Sequence, residues 1–297
     1  MKKEYFFAAV SIICWGSTAA VTKLLLGASS SMQILFYSSV LATAALFIFN
    51  AAGKRLHALR AYRGRDYARL IPLGLLGLFV YNLLLYTGID RMLAQDAFIL
   101  NYLWPIMTVV FSCIVLKEKM TGRTVIALII SFVGVAVVLT KGDIASLGMS
   151  DALGVACSLA AAVCYGLFSA LNKRESGDPF VNMMLYYAAS TVVSGVYLAA
   201  AGELTLPEAG QLPGLLWIGI FVHALGYSCW ANALKIGNTA RISNLAFVTP
   251  FLSLVYIFFL LHEKIGLFSV LGLVIIIFGV LFQMKKSPAS AAAGSSR

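Results

Sequence analysis

The second half of the chain repeats the first, and the repeated unit carries an odd number of membrane-length apolar runs. In the first half, Asn101-Tyr102-Leu103-Trp104-Pro105 precedes an apolar run that ends Leu116-Lys117-Glu118-Lys119. In the second, Leu245-Ala246-Phe247-Val248-Thr249-Pro250 precedes a run that ends Leu261-His262-Glu263-Lys264. Pro105 and Pro250, Glu118 and Glu263, Lys119 and Lys264, and Gly134 and Gly279 share one offset of 145 residues. Trp15-Gly16 with Lys23 answers Tyr165-Gly166 with Lys173 at an offset of 150. A unit of five spans ends on the opposite side of the membrane from where it began. Its second copy is therefore inverted relative to the first, an arrangement by which many carriers place two alternating gates around one site.

Composition agrees with a chain dissolved in lipid. It is 61% hydrophobic and 11% charged, with a mean hydropathy of +0.91. A water-soluble domain of 297 residues could not hide that much apolar surface. The apolar residues fall in runs of roughly 18–24, the length a helix needs to cross about 30 Å of hydrocarbon. Ten spans are expected, near 5–26, 32–52, 68–89, 95–116, 124–140, 152–172, 180–201, 213–234, 240–261 and 266–284. The runs are apolar on all faces, which excludes the alternating pattern of a transmembrane β-barrel. The expected fold is all-α: a polytopic membrane protein of ten transmembrane helices in two inverted five-helix repeats. Residues 1–142 form the first repeat, 150–286 the second, and 287–297 a low-complexity, disordered tail. The start Met1-Lys2-Lys3-Glu4 resembles a signal peptide, but the following run is long, carries Lys23 and lacks a small-residue cleavage site. It is expected to stay as the first span.

The net charge of +10 has no basic face behind it, so nucleic acid is not an expected partner. Lys and Arg sit in the short connections and alternate by side. Eighteen of the 22 fall on the side holding Lys2, Arg60, Arg63, Arg65, Lys117, Arg174, Lys235 and Lys285. Only Lys23, Arg91, Lys141 and Lys264 fall on the other. The positive-inside rule then puts both termini in the cytoplasm. The five cysteines, Cys14, Cys113, Cys157, Cys164 and Cys229, all lie inside apolar runs and read as small hydrophobes. The connection from Lys141 to Asp151 reads as a turn, with a helix cap at Ser150 or Asp151.

The spans hold neither paired carboxylates nor a nucleophile with its base nor a metal-spaced His cluster, so neither an enzyme nor a metal or cofactor site is expected. A charge at mid-bilayer costs about 2.5–3.5 kcal/mol even on insertion scales, and these spans avoid it. Glu118, Lys119, Glu263 and Lys264 stand at helix ends, and Asp96 and Arg241 near the starts of the fourth and ninth spans. His223, near the middle of the eighth span, is the one titratable candidate for a proton site, against the plainer reading of a packed neutral histidine. What the spans do hold is aromatic and amide side chains. Tyr81, Asn82, Tyr86, Asn101, Tyr102, Trp104, Tyr165, Trp230 and Asn244 are the candidate solute-binding residues. Amides at depth need partners, and a polar cavity supplies them. Pro105 and Pro250 each remove a backbone donor and free a carbonyl one turn earlier, near residues 101 and 246, marking helix breaks or gates. Aromatic walls, a few amides and free carbonyls suit a neutral or zwitterionic solute. A phosphate or sugar nucleotide would want fixed Arg or Lys.

The duplicated five-span unit, the Pro followed by an apolar run and Glu-Lys in each half, and the paired Trp15-Gly16 and Tyr165-Gly166 starts resemble the drug/metabolite transporter superfamily, of the ten-span EamA type, over residues 5 to 284. Within it, Asn101-Tyr102-Leu103-Trp104-Pro105 is similar to the corresponding run of the aromatic amino-acid exporters; Asn172-Lys173, Trp230 and Thr249-Pro250 agree with that branch. The resemblance implies a central cavity from spans one, three, four, six, eight and nine. It places Tyr81-Asn82 facing the solute and carries Tyr102 and Trp104 over from the motif. Tyr165 stands where that branch often has Trp. The expectation is an inner-membrane exporter or facilitator of small metabolites, most readily amino acids, working by alternating access as a monomer or homodimer in the lipid bilayer. The alternatives are a carrier of drug-like cations or purines, a lipid scramblase and a membrane-embedded enzyme.

Overall fold

The computed structural model describes residues 3–115, 117, 122–140, 151–172, 174–236 and 245–284. Within them the protein is all-helical, with no strand. Four helices open the chain: α1 (Lys3–Leu26), α2 (Ser31–Ala52), α3 (Gly64–Arg91) and α4 (Ala94–Val115). After α5 (Gly122–Thr140) come α6 (Ala152–Asn172), α7 (Pro179–Ala201) and α8 (Ala209–Trp230), the last continuing to Ile236. Then follow α9 (Thr249–Leu261) and α10 (Leu267–Met284). Among the described residues, seven of these helices are long and apolar enough to cross a membrane, and α5, α9 and α10 contribute shorter apolar stretches. The protein is a multi-pass membrane protein.

The helices start where the sequence supplies caps. Ser30 Oγ accepts from Gln33 N at 3.2 Å while Gln33 returns the bond to Ser30 N at 3.0 Å, a reciprocal box that satisfies two first-turn donors of α2. Asp178 caps α7 through Phe180 N at 2.8 Å, with Pro179 in the first turn, where its missing N–H costs nothing. Asp151 caps α6, accepting from Gly154 N at 2.8 Å, as the sequence led us to expect.

The spans pack in pairs. Helix α2 lies on α7 and α5 on α10; α1 packs against α8 and α9, and α6 against α3 and α4. At the α5–α10 contact two glycines face each other. A Cβ on Gly134 would meet the Gly272 carbonyl oxygen at 2.8 Å, and one on Gly272 would meet the Gly134 oxygen at 2.7 Å. Backbone touches backbone there, which only glycine permits. Large apolar side chains such as Phe47, Ile48, Val192, Val196, Phe258, Phe259 and Phe278 remain exposed around the outside, as a lipid-facing surface requires.

Two helix starts differ from the sequence reading, that of α3 and that of α8, which begins at Ala209 and not near 213. Helix α3 begins at Gly64, not near 68, because Asp66 folds back to accept from Arg63 N at 2.8 Å and starts the helix earlier. The start of the expected ninth span, 240–244, lies outside the described residues; beyond it a short 3-10 turn over Ala246–Val248 leads into α9 at Thr249. Pro250 lies in its first turn, and Pro105 is the second residue of the helical segment Trp104–Val115. Neither proline sits inside a continuous helix, because the ring would clash with the carbonyl four residues back. The helix breaks just before each of them instead.

Candidate solute cavity among the broken spans

Irregular backbone gathers in the helices that meet at the centre. Helix α1 is interrupted at Ser17, whose hydroxyl donates to Cys14 O at 2.6 Å. Helix α4 breaks at Tyr102 and Leu103 before Trp104. Helix α3 carries a π-helical stretch, Leu75–Val80, and α8 another, Trp217–Gly226. These two stretches occupy corresponding places in the repeat, and each ends on a tyrosine, Tyr81 and Tyr227. A π stretch widens the helix and turns the next side chains out of register, and such stretches recur at functional sites.

The breaks surround a cavity. Tyr81 and Asn82 from α3 and Asn101, Tyr102 and Trp104 from α4 line it, with Tyr165 from α6 and His223 from α8. Trp15, Thr18, Phe98, Val222, Tyr227, Ala246 and Thr249 complete the wall. The space open to the centre of a water-sized sphere is about 60 Å³, several times the roughly 10–15 Å³ that one water needs. Among the described residues, no charged side chain lines it.

The rings hold one another. Tyr81 and Tyr165 have centroids 4.7 Å apart, Trp104 meets Tyr165 edge-on at 5.1 Å and 88°, and Trp15 meets Tyr227 at 5.1 Å and 61°. Such contacts are worth about 0.5–1.5 kcal/mol each beyond burial, so the aromatic wall is shaped before any solute arrives. The polar groups are partly committed. Asn82 Nδ2 donates to Leu78 O at 2.6 Å. Asn101 Nδ2 donates to Tyr81 Oη at 3.3 Å. Tyr102 Oη donates to the Ala246 carbonyl, which Pro250 leaves without its helical donor. One break is thus stitched to the other across the two halves. Among the described residues, the buried atoms Trp15 Nε1, Asn101 Oδ1, His223 Nδ1 and Thr249 Oγ1 on the wall find no hydrogen-bond partner.

Not every candidate reaches the wall. Tyr86 is fully buried behind it and pairs with His223 Nε2 at 3.2 Å. Trp230 lies one ring removed, against Trp15 at 5.3 Å. Asn244, Glu118, Lys119, Lys173 and Arg241 lie outside the described residues. Glu263 stands at one end of the bundle, where its Oε1 accepts from Ala94 N at 3.2 Å. Asp96 is buried in the first turn of α4, where it accepts from Ser269 Oγ at 2.8 Å.

Trp15, Tyr227, Ala246 and Thr249 were not among the solute-binding candidates named from sequence, yet a signal for them existed. Trp15 is the repeat mate of Tyr165, Tyr227 of Tyr81, Ala246 of Asn101 and Thr249 of Trp104, at offsets of 150, 146, 145 and 145. Extending each candidate to its mate would have found them. Phe98, Thr18 and Val222 offered no such signal.

This architecture, a polytopic bundle of broken helices around an aromatic-walled central cavity, is that of a membrane transporter. The chain belongs to the EamA-like transporter family: that family's model matches it twice, over residues 2–140 and 152–284. It is 25% identical over 290 residues to an uncharacterized transporter of Clostridium kluyveri, covering 94% of this chain and 92% of the relative. It is 24% identical over 291 residues to the uncharacterized inner membrane transporter YhbE of Escherichia coli K12, covering 93% and 89%. A solved crystal structure shares the fold with a TM-score of 0.66 at 18% identity, covering 94% of this chain and 96% of that one.

Proposed function

We propose that this protein is an inner-membrane exporter or facilitator of small zwitterionic metabolites, amino acids with aromatic or neutral side chains before others, working by alternating access. The observation that carries this reading is the uncharged aromatic cavity whose lining residues keep Trp15 Nε1, Asn101 Oδ1 and His223 Nδ1 unbonded. A donor and an acceptor offered together suit a solute that bears both a carboxylate and an ammonium group, and the rings suit its side chain. Neither sugar phosphates nor strong cations find a fixed counter-charge among the lining residues. The test is efflux of a radiolabelled amino-acid panel from proteoliposomes holding only this protein. Efflux of none of the panel above protein-free liposomes would exclude this solute class.

We further propose the ten-span architecture of two inverted five-helix repeats, residues 1–142 and 150–286, with both termini cytoplasmic. The packing supports it, since the pairs exchange under the repeat: α1 with α8 corresponds to α6 with α3, and α1 with α9 to α6 with α4. The double family match points the same way. Single cysteines placed in 141–151 and in 202–212 should react with an impermeant reagent from outside, and cysteines in 54–69 should not. Outside labelling of 54–69 would overturn this topology.

For coupling, we expect transport that follows the solute gradient. His223 is buried, its ring stacked on Tyr187 at 4.9 Å and bonded to Tyr86, and charging it there would require a counter-ion that the wall does not supply. An imposed pH gradient without a solute gradient should drive no accumulation. Accumulation lost in His223→Ala would make His223 a proton carrier; accumulation that survives would direct attention to Asp96.

A further inference from the structure

A second cavity lies beside the first, and one ring separates them. It opens where α6 ends, α7 begins and α8 passes, and Tyr227 lines both cavities. It has about 110 Å³ open to the centre of a water-sized sphere, more than the central one. Its described lining carries one carboxylate, Glu175, among neutral polar groups. Glu175 leaves only 12% of its side chain exposed, and its ion pair with Arg69 is loose, at 3.6 Å, because Arg69 holds Asp66 more closely at 3.0 Å. Asn172 Oδ1, which takes the Tyr186 hydroxyl at 2.8 Å, keeps a second lone pair. Ser228 Oγ is buried and finds no hydrogen-bond partner among the described residues. The aromatic faces of Phe180, Tyr186 and Tyr227 complete the wall. Phe180 already carries a cation on its ring: the Arg55 guanidinium lies 3.9 Å from the centroid.

We propose that this second cavity is a cytoplasmic binding subsite for the ammonium group of a small solute, and that the Tyr227 ring is the barrier between it and the central cavity. One carboxylate among neutral oxygens and ring faces matches a single positive charge attached to carbon. A divalent metal would want more anionic ligands. The placement on the cytoplasmic side rests on the topology proposed above. Tyr227 can act as the barrier because it follows directly on the π-helical stretch Trp217–Gly226. Tightening that stretch to an α-helix would rotate Tyr227 and join the cavities. Ring contacts with Trp15 at 5.1 Å and with Tyr187 at 6.3 Å hold the Tyr227 ring across the passage.

The test needs no knowledge of the solute. Ser228→Cys is placed in protein with the five native cysteines replaced by alanine, in inside-out membrane vesicles. Its reaction rates with 2-aminoethyl and 2-sulfonatoethyl methanethiosulfonate are compared with those of an exposed reference, Arg65→Cys. The ammonium-to-sulfonate rate ratio at position 228 should exceed the reference ratio by at least roughly tenfold, since a partly buried charge is weakly screened. Adding Glu175→Gln should bring it back to the reference. A ratio equal to the reference, or one unchanged by Glu175→Gln, overturns the subsite. If Ser228→Cys fails to fold, Met183→Cys lines the same cavity and serves in its place. Reaction only from the opposite face would sink the topology while still reading out the ammonium preference. For the barrier, Thr249→Cys in the central cavity should react from the cytoplasmic side several-fold faster once Tyr227→Ala is added. An unchanged rate would show that Tyr227 does not separate the cavities.

Discussion

Trp104→Ala should cut solute efflux from proteoliposomes by roughly ten- to a hundredfold, while membrane insertion and elution as a folded protein stay normal. The indole lines the central cavity and meets Tyr165 edge-on at 5.1 Å. Removing it deletes contact area for the solute, about 25 cal/mol per Å² of apolar surface, and also frees Tyr165 and Tyr102 to move. Trp104 follows the break at Tyr102 and Leu103, so its loss leaves the helix hydrogen bonds intact, and the defect should be one of transport and not of folding. Trp104→Phe should recover much of the activity, because a ring of either kind fills the wall. Efflux at the unsubstituted rate in Trp104→Ala would remove this residue from the site.

Gly134→Leu should have the opposite signature: little folded protein at all. The α5–α10 contact brings the Gly134 and Gly272 backbones so close that even a methyl at either would overlap a carbonyl oxygen at 2.7–2.8 Å. Neither backbone oxygen can turn aside as a side chain would. Overpacking of this kind costs about 1–3 kcal/mol where side chains can yield, and more where they cannot. Lipid offers no hydrophobic force to press the helices back together. Size-exclusion chromatography in detergent and a thermal-shift assay read the effect. A monodisperse peak at wild-type yield would show that the two helices can separate without consequence.

Much of this was legible in the chain itself. Apolar runs of membrane length and an internal offset of 145 are one-dimensional facts, and the bilayer turns such runs directly into helices. The candidate cavity was partly legible for the same reason. A polar or aromatic side chain such as Asn82, Asn101 or Tyr102 stands out against a lipid-like background, and the wall includes all three. The sequence could not say on which face of its helix each lies. Tyr86 and Trp230 have the composition of lining residues, yet one sits behind His223 and the other behind Trp15, because a rotation of a fraction of a turn decides exposure. Only the tertiary structure decided that rotation, through the breaks at Ser17 and Tyr102 and the two π-helical stretches. It alone joined Tyr102 to the carbonyl freed by Pro250, 144 residues away. It alone set a second cavity one tyrosine from the first. What the sequence by itself determined was the spans, their repetition and their polar content, since each depends on residues close together in the chain. Which side chains share a cavity depends on helix rotation and packing between distant segments, and no local pattern encodes that.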